Sequence, residues 1–175
     1  MFDDAILQKA GRVIDACREA KVMLVTAESC TGGLLAGALT AIPGSSDAFD
    51  RGYITYSLQG KMEMIGVPAE ILAVHGAVSE TVARAMAGGA LARSMPRAKL
   101  AIAVTGVAGP GSTSPTKPAG RVYFAAAQEG KGILEEMREF GDIGRSEVRL
   151  ASVEAALDLI LKRLGTDCPQ RGATP

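Results

Sequence analysis

Apolar residues recur every three or four positions at both ends of the chain. This spacing predicts an amphipathic helix over residues 3–20, with Asp3 or Asp4 as its N-cap, and another over residues 145–164. An alanine-rich helix is expected from Ser79 to about Met95. The first and last of these helices would each present one apolar face to the core.

Short runs of β-branched and apolar residues between the helices predict strands. Their alternation with helices, in the order α-β-α-β-α-α-β-β-β-α, favours a three-layer α/β/α fold on a mixed sheet of about five strands. Glu129–Gly132 has the composition of a hairpin turn, so at least one strand pair should be antiparallel. The expected strands cover residues 21–26, 51–57, 99–105, 121–128 and 133–140, with a helix over 34–42 and short helical turns over 61–65 and 68–75.

Composition and charge narrow the class of protein. We expect residues 1–165 to form a single domain and residues 166–175, which lack apolar content, to form a flexible tail. Nineteen basic residues balance nineteen acidic ones, which argues against a nucleic-acid or membrane-surface partner. Three widely spaced cysteines fit a reducing compartment better than a disulfide frame or a zinc site. No run approaches the roughly 18 apolar residues of a membrane span, so a cytoplasmic protein is expected.

The turn that follows the first predicted strand carries the most chemistry. Ser29, Cys30 and Thr31 are three candidate nucleophiles, and Gly32 and Gly33 lack side chains that would keep a ligand away from the backbone. The helix that begins after this turn directs its first N–H groups towards the same space, where an anion or an oxyanion could bind. A simpler interpretation is that Ser29 or Thr31 only caps the helix.

The ends of the other two parallel strands add candidate groups, because ligands bind at the carboxyl ends of such strands. Tyr56 and Lys61 follow the second strand, and the long glycine-rich loop 106–120 follows the third. A buried lysine of lowered pKa can replace histidine as the base for a serine, although Lys61 could instead be a solvated helix residue. The single histidine, His75, fits a helix end better than a base or a metal site. Arg145 opposes the dipole of its helix, which an anionic ligand would explain.

Taken together, these segments resemble the CinA C-terminal domain family, whose members include stand-alone nicotinamide-nucleotide amidases. The resemblance spans residues 5–164, and the combination of motifs is specific although each one alone is weak. The matching segments are Ala27–Leu34, Pro43–Ser46, Tyr56–Ser57 with Lys61, His75–Ser79, Ala103–Gly106 with Ala108–Gly111, Lys117–Pro118 with Gly120, and Arg145 with Arg149.

The resemblance implies an activity: hydrolysis of the carboxamide of nicotinamide mononucleotide to nicotinate mononucleotide and ammonia. It implies a serine-lysine enzyme without a metal or other cofactor, and a homodimer or larger homo-oligomer with a three-layer α/β/α fold. Ser29 maps to the nucleophile, Lys61 to its general base and Tyr56 to a hydroxyl that assists proton transfer. Thr105 and Arg145 map to substrate contacts, the N–H groups near Thr31, Gly32 and Gly33 suit an oxyanion, and Gly106, Gly109 and Gly111 with Arg145 suit the ribose phosphate.

Two departures from the family pattern and two alternatives accompany this hypothesis. Leu58 stands where many members have asparagine, and Ser112–Pro115 replaces a run of glycines. The chain could instead be a nucleotide-binding or regulatory module without turnover, linked to competence or the response to DNA damage. Alternatively Cys30 is the nucleophile, which predicts inactivation by thiol alkylation.

Overall fold

The computed structural model describes residues 2–112 and 116–166. Its helices and strands follow the predicted order, except that the short helical turns expected over 61–65 and 68–75 are two separate helices, so three helices and not two lie between the second and third strands. In chain order they are α1 (Asp4–Glu19), β1 (Leu24–Glu28), α2 (Leu34–Thr40), a 3-10 turn (Ser45–Asp47), β2 (Phe49–Ile54), α3 (Leu58–Ile65), α4 (Ala69–His75), α5 (Glu80–Ser94), β3 (Leu100–Gly106), β4 (Arg121–Gln128), β5 (Leu134–Glu139) and α6 (Arg145–Leu164).

The strands form one five-stranded mixed sheet in the order β2-β1-β3-β4-β5. Strand β1 is parallel to both β2 and β3, whereas β4 is antiparallel to β3 and to β5. The predicted mixed sheet and hairpin are therefore confirmed. The carboxyl ends of β1, β2 and β3 lie at the same edge of the sheet, which is where ligands bind in such folds.

Helices cover both faces of the sheet. One core cluster joins α1, α2 and α6 to strand residues such as Leu24, and the other joins α3, α4 and α5 to alternate residues such as Val25. Because successive strand residues point to opposite faces, adjacent β1 residues enter different cores. The three-layer α/β/α fold is thus confirmed. None of the described helices is long and apolar enough to cross a membrane.

The segment that carries Tyr56 and Lys61 differs from its predicted structure. A strand was expected over 51–57, but β2 ends at Ile54. Ser57 instead caps α3, because its hydroxyl accepts a hydrogen bond from the Gly60 N–H at 2.9 Å. Tyr56 therefore lies outside the sheet, and Lys61 lies on a complete helix rather than an isolated turn.

The predicted cap of α1 is Asp3, whose carboxylate accepts a hydrogen bond from the Ile6 N–H at 2.8 Å. Ser79 likewise caps α5 as expected. The division into one domain over residues 1–165 stays a prediction. Of the predicted tail, residues 167–175 lie outside the described residues.

Gly89 is required where α5 packs against α3. A Cβ atom at this position would lie 1.9 Å from the carbonyl oxygen of Ile65, whereas a Cβ at Gly88 would meet nothing within 4 Å. We expect Gly89→Ala to lower the free energy of unfolding by about 1–3 kcal/mol, because the helices must separate. The matched change Gly88→Ala should raise it by about 0.5–1 kcal/mol through helix propensity. Urea denaturation of both variants measures this contrast, and equal effects would contradict the close approach.

Candidate active site

The turn after β1 attaches Ser29 to the sheet. The Ser29 N–H donates a hydrogen bond to the Val104 carbonyl of β3 at 3.0 Å. Only 7% of the residue is exposed. Its Oγ lies 3.0 Å from Nζ of Lys61, which reaches it from α3. The fold thus brings together two of the predicted catalytic residues, from positions 32 residues apart.

The Lys61 side chain is fully buried. Besides Ser29, its ammonium contacts the Thr55 carbonyl oxygen, at 2.5 Å. Burial lowers the pKa of Lys61 from 10.5 to about 8, while the nearby Cys30 acts in the opposite direction. The amine is therefore available as a base close to neutral pH, which a solvated lysine is not.

Cys30 lies beside Ser29 but has different surroundings. It is 5% exposed, and burial raises the pKa of its thiol to about 12. Lys61 and the backbone N–H groups of Cys30 and Thr31 lower the thiol pKa, but burial outweighs them. A thiol that stays protonated is a poor nucleophile. Lys61 contacts the hydroxyl of Ser29, and Cys30 as the nucleophile stays an alternative.

Glu28, the last residue of β1, caps helix α2. Its fully buried carboxylate accepts hydrogen bonds from the N–H groups of Gly33 at 2.9 Å, Leu35 at 3.1 Å and Ala36 at 2.8 Å. A carboxylate satisfies several helix N–H groups at once and complements the positive end of the helix dipole. Sequence reasoning missed this role, although a glutamate that ends an otherwise apolar strand just before a helix is the available signal.

The alternative that Ser29 or Thr31 caps α2 is wrong. The N-cap position is Gly33, without a side-chain cap, and Glu28 supplies the acceptor. The Gly33 N–H already donates to the Glu28 carboxylate, and the Gly32 N–H donates to the Ser29 carbonyl at 3.2 Å. Of the turn predicted to stabilise an oxyanion, the N–H groups of Cys30 and Thr31 donate to no oxygen of the described residues, and both interact with the Cys30 sulfur.

A pocket of about 220 Å³ opens at the carboxyl ends of the parallel strands. Ser29 lies in its wall, and the buried Lys61 lies behind Ser29. Five separate segments of the chain contribute its lining: Ser29, Cys30, Tyr56, Ala77, Val78, Gly106, Ala108 and Arg145. Among the described residues, no three His, Cys, Asp or Glu side chains group as a metal site.

Arg145 and Tyr56 form the exposed rim of the pocket. The Arg145 guanidinium donates to the Tyr56 hydroxyl at 3.1 Å and to the Gly109 carbonyl at 2.9 Å. It makes no ion pair within the described residues. Tyr56 is 63% exposed, and its hydroxyl has no hydrogen bond to Ser29 or Lys61. A role for Tyr56 in proton transfer therefore stays a prediction.

Thr105 shapes the wall of the pocket from behind. It is fully buried, and its hydroxyl donates to the Ala77 carbonyl at 2.7 Å. Nearby, Lys117 donates to the His75 carbonyl at 2.9 Å. These contacts hold the connection between α4 and α5, which lines the pocket with Ala77 and Val78. Direct contact between Thr105 and a substrate stays a prediction.

The remaining predicted positions lie at different distances from the pocket. Gly106 lines it, and Gly109 reaches it through the carbonyl that binds Arg145. Gly111 is exposed and is not part of the lining. Leu58, at the start of α3, is 48% exposed and is also outside the lining. Within the Ser112–Pro115 departure, residues 113–115 lie outside the described residues.

The family model of the CinA C-terminal domain matches residues 7–164 of the chain. The chain belongs to the CinA C-terminal domain family. It is 45% identical over 164 residues to the nicotinamide-nucleotide amidohydrolase PncC of Pseudomonas putida, covering 94% of this chain and 99% of that protein. The PncC protein of Escherichia coli K12 is 44% identical over 161 residues, which is 91% of this chain and 95% of that protein.

Longer relatives carry the same CinA domain as part of a larger protein. A CinA-like protein of Citrifermentans bemidjiense is 45% identical over 157 residues, which is 89% of this chain. The chain spans only 29% to 37% of the length of the first curated relatives that it matches. Their sequences thus share this domain with the chain and extend beyond it.

Solved structures of the family have the same fold. A crystal structure of the competence/damage inducible protein CihA from Agrobacterium tumefaciens superposes with a TM-score of 0.89 at 47% identity, covering 94% of this chain and 98% of that one. A CinA superfamily protein from Escherichia coli superposes with a TM-score of 0.84 at 33% identity, covering 94% of each chain. The mixed five-stranded sheet with its flanking helices is therefore the fold of this family.

Proposed function

We propose that the protein hydrolyses the carboxamide of nicotinamide mononucleotide, giving nicotinate mononucleotide and ammonia, with Ser29 as nucleophile and Lys61 as general base. The observation that carries the proposal is the 3.0 Å contact between Ser29 Oγ and the fully buried Lys61 Nζ in the pocket wall. The names of the two PncC relatives, which match nearly the whole chain, support the substrate.

The first step requires the uncharged form of Lys61. In that form Nζ accepts the Ser29 hydroxyl proton, and Oγ forms a bond to the carboxamide carbon. The electron pair of the C=O bond moves to oxygen and gives a tetrahedral intermediate. The N–H groups of Cys30 and Thr31 are the donors of this turn that remain available to that oxygen.

The second step expels ammonia. The intermediate collapses, the C–N bond breaks, and the Lys61 ammonium returns its proton to the departing nitrogen, leaving an ester on Ser29. Water then gives a proton to Lys61 and attacks the ester carbon. Loss of Ser29 as leaving group, with the proton from Lys61, completes the hydrolysis and restores both residues.

The rim suits a phosphate. Arg145 is a cation at the pocket mouth. Within the described residues its guanidinium contacts only two neutral oxygens, the Tyr56 hydroxyl and the Gly109 carbonyl. A guanidinium binds phosphate through two hydrogen bonds. We propose that the nicotinamide ring enters the pocket beside Ser29 while the ribose phosphate binds Arg145 and the loop that contains Gly106, Gly109 and Gly111.

Activity should depend on pH through Lys61, whose pKa is lowered to about 8. Only the uncharged amine accepts the proton, so kcat/KM should rise about tenfold per pH unit below this pKa and level off above it. The second ionisation of the substrate phosphate lies near pH 6, so the profile is read between about pH 7 and pH 10. A flat profile over that interval would contradict Lys61 as the base.

Ammonia release from nicotinamide mononucleotide, measured with a chelator present, tests the function directly. We expect turnover that the chelator does not reduce. Binding of the nucleotide without any turnover would overturn the amidase proposal and support the binding module.

We further propose a cytoplasmic homo-oligomer. The free thiols of Cys17 and Cys30 suit a reducing compartment. Exposed apolar side chains at Ile54, Leu58 and Ile143 are compatible with self-association. Light scattering of the purified protein measures its oligomeric state, and a monomer at micromolar concentration would contradict the proposed homo-oligomer.

A further inference from the structure

Arg149 contacts the nucleophile turn from the side of helix α6. Its Nε donates to the Cys30 carbonyl at 3.1 Å, and its Nη2 donates to the Thr31 carbonyl at 2.9 Å. The residue is half-buried and does not line the pocket. The planar guanidinium thus holds two successive peptide groups with the two donors of one edge.

These contacts fix where the N–H groups of the turn point. The peptide bonds of the turn are trans. In a planar trans peptide the N–H points opposite to the carbonyl of the preceding residue. With the Cys30 carbonyl directed at Arg149, the Thr31 N–H points away from that side chain. The Ser29 carbonyl accepts a hydrogen bond from the Gly32 N–H. The Cys30 N–H belongs to the same peptide group as this carbonyl, so it points in the opposite direction, away from Gly32.

Both N–H groups face the sulfur of Cys30. Each acts to lower the pKa of the Cys30 thiol, against the larger effect of burial, so both are close to that sulfur beside Ser29. Neither donates to an oxygen of the described residues, and Thr31 is fully buried. A thiol sulfur is only a weak hydrogen-bond acceptor, so a ligand oxygen is a stronger partner for these N–H groups.

We propose that Arg149 is a positioning residue for the oxyanion site: it holds the Cys30–Thr31 peptide so that the Thr31 N–H faces the oxygen of the tetrahedral intermediate. It acts through the backbone and does not touch substrate. Arg145, one helical turn earlier on α6, binds the pocket rim instead. Two arginines of one helix would thus serve different steps, Arg145 the binding of substrate and Arg149 the transition state. This inference rests on the proposed function.

The test compares Arg149→Lys with the matched variant Arg145→Lys. Lysine keeps the charge but cannot hold two carbonyls in one plane. Removal of one oxyanion donor lowers kcat about 10²–10³-fold, so a misdirected donor in Arg149→Lys should lower kcat by roughly 10–100-fold. KM for nicotinamide mononucleotide should change less than about twofold, because the effect is confined to the transition state. Arg145→Lys should mainly raise KM.

Two further readouts separate positioning from a general structural role. The pH midpoint of kcat/KM should stay that of wild type in Arg149→Lys, because Lys61 is untouched. If that variant folds poorly, Arg149→Ala with added guanidinium replaces it, and recovery of kcat on addition is expected. A shifted pH midpoint together with a loss of thermal stability in the Arg149 variant would overturn the inference. An unchanged kcat in that variant would also overturn it, and in both cases the proposed function would remain intact.

Labelling of Ser29 by a small fluorophosphonate tests the inference without the nucleotide. Serine Oγ bonds to phosphorus, fluoride leaves, the hydroxyl proton passes to Lys61, and the phosphoryl oxygen occupies the oxyanion position. The labelling rate should fall in Arg149→Lys by about the same factor as kcat. If wild type does not deamidate the nucleotide, the proposed function fails, and a labelling rate that still depends on Arg149 would sustain the inference. Equal labelling of both proteins, or none, would overturn it.

Discussion

Ser29→Ala should reduce ammonia release from nicotinamide mononucleotide to the background rate. The hydroxyl is the group that Lys61 contacts at 3.0 Å, and no other hydroxyl of the described residues does so. Removal of a serine nucleophile from a hydrolase lowers kcat by about 10⁶-fold. Nucleotide affinity should change little, because Arg145 and the glycine loop remain. Single-turnover ammonia release and calorimetric binding measure the two effects.

The control for this change is Ser152→Ala. Ser152 is a fully buried serine of α6 whose hydroxyl donates to the Val148 carbonyl at 2.6 Å, away from the pocket lining. Its loss should leave turnover within about twofold, since it removes one internal hydrogen bond. If Cys30 were the nucleophile, Ser29→Ala would still form a covalent intermediate. A thioester detected in that variant would therefore contradict the assignment of Ser29.

The fold was predictable because its strongest signals are local. The amphipathic pattern of α1 and α6, the caps at Asp3 and Ser79, and the β-branched strands all specify the same layers. The end of β2 was not predictable in the same way. Thr55 and Tyr56 have strand composition, but the capping hydroxyl of Ser57 starts α3 early and takes Tyr56 out of the sheet.

Most residues of the site could be predicted from the sequence, but most of the contacts between them could not. Ser29 and Lys61 meet because β1 is adjacent to β2, and no local pattern states that adjacency. Burial of Lys61, and hence its pKa, depends on the packing of α3 against the sheet. The roles of Glu28 and Arg149 were missed for a related reason. Each acts on the backbone of the turn, and sequence reasoning assigns chemistry to side chains that would meet a substrate.

Lys61→Met should abolish activity and make the protein more stable at neutral pH. Without the amine, no group of the described residues within hydrogen-bond reach accepts the Ser29 proton, so kcat should fall at least about 10³-fold. Burial that lowers the lysine pKa from 10.5 to about 8 also opposes folding of the charged form. A shift of that size corresponds to roughly 3 kcal/mol. Methionine avoids this cost but leaves the Thr55 carbonyl unpaired, so a net gain of about 1–2 kcal/mol is expected.

The pH dependence of that gain identifies its cause. Below about pH 8 the amine is protonated in both the folded and the unfolded protein, and the full cost of burying charge is present. Between that pH and 10.5 only the unfolded chain binds the proton, so wild-type stability rises relative to Lys61→Met. The difference in stability should therefore shift by roughly 3 kcal/mol in favour of wild type across this interval, so that wild type becomes the more stable protein at its upper end. Lys99→Met, which removes a half-exposed lysine paired with Glu129, should show no such change. A pH-independent difference between wild type and Lys61→Met would mean that Lys61 is not a buried base, and the chemistry proposed for Ser29 would lose its proton acceptor.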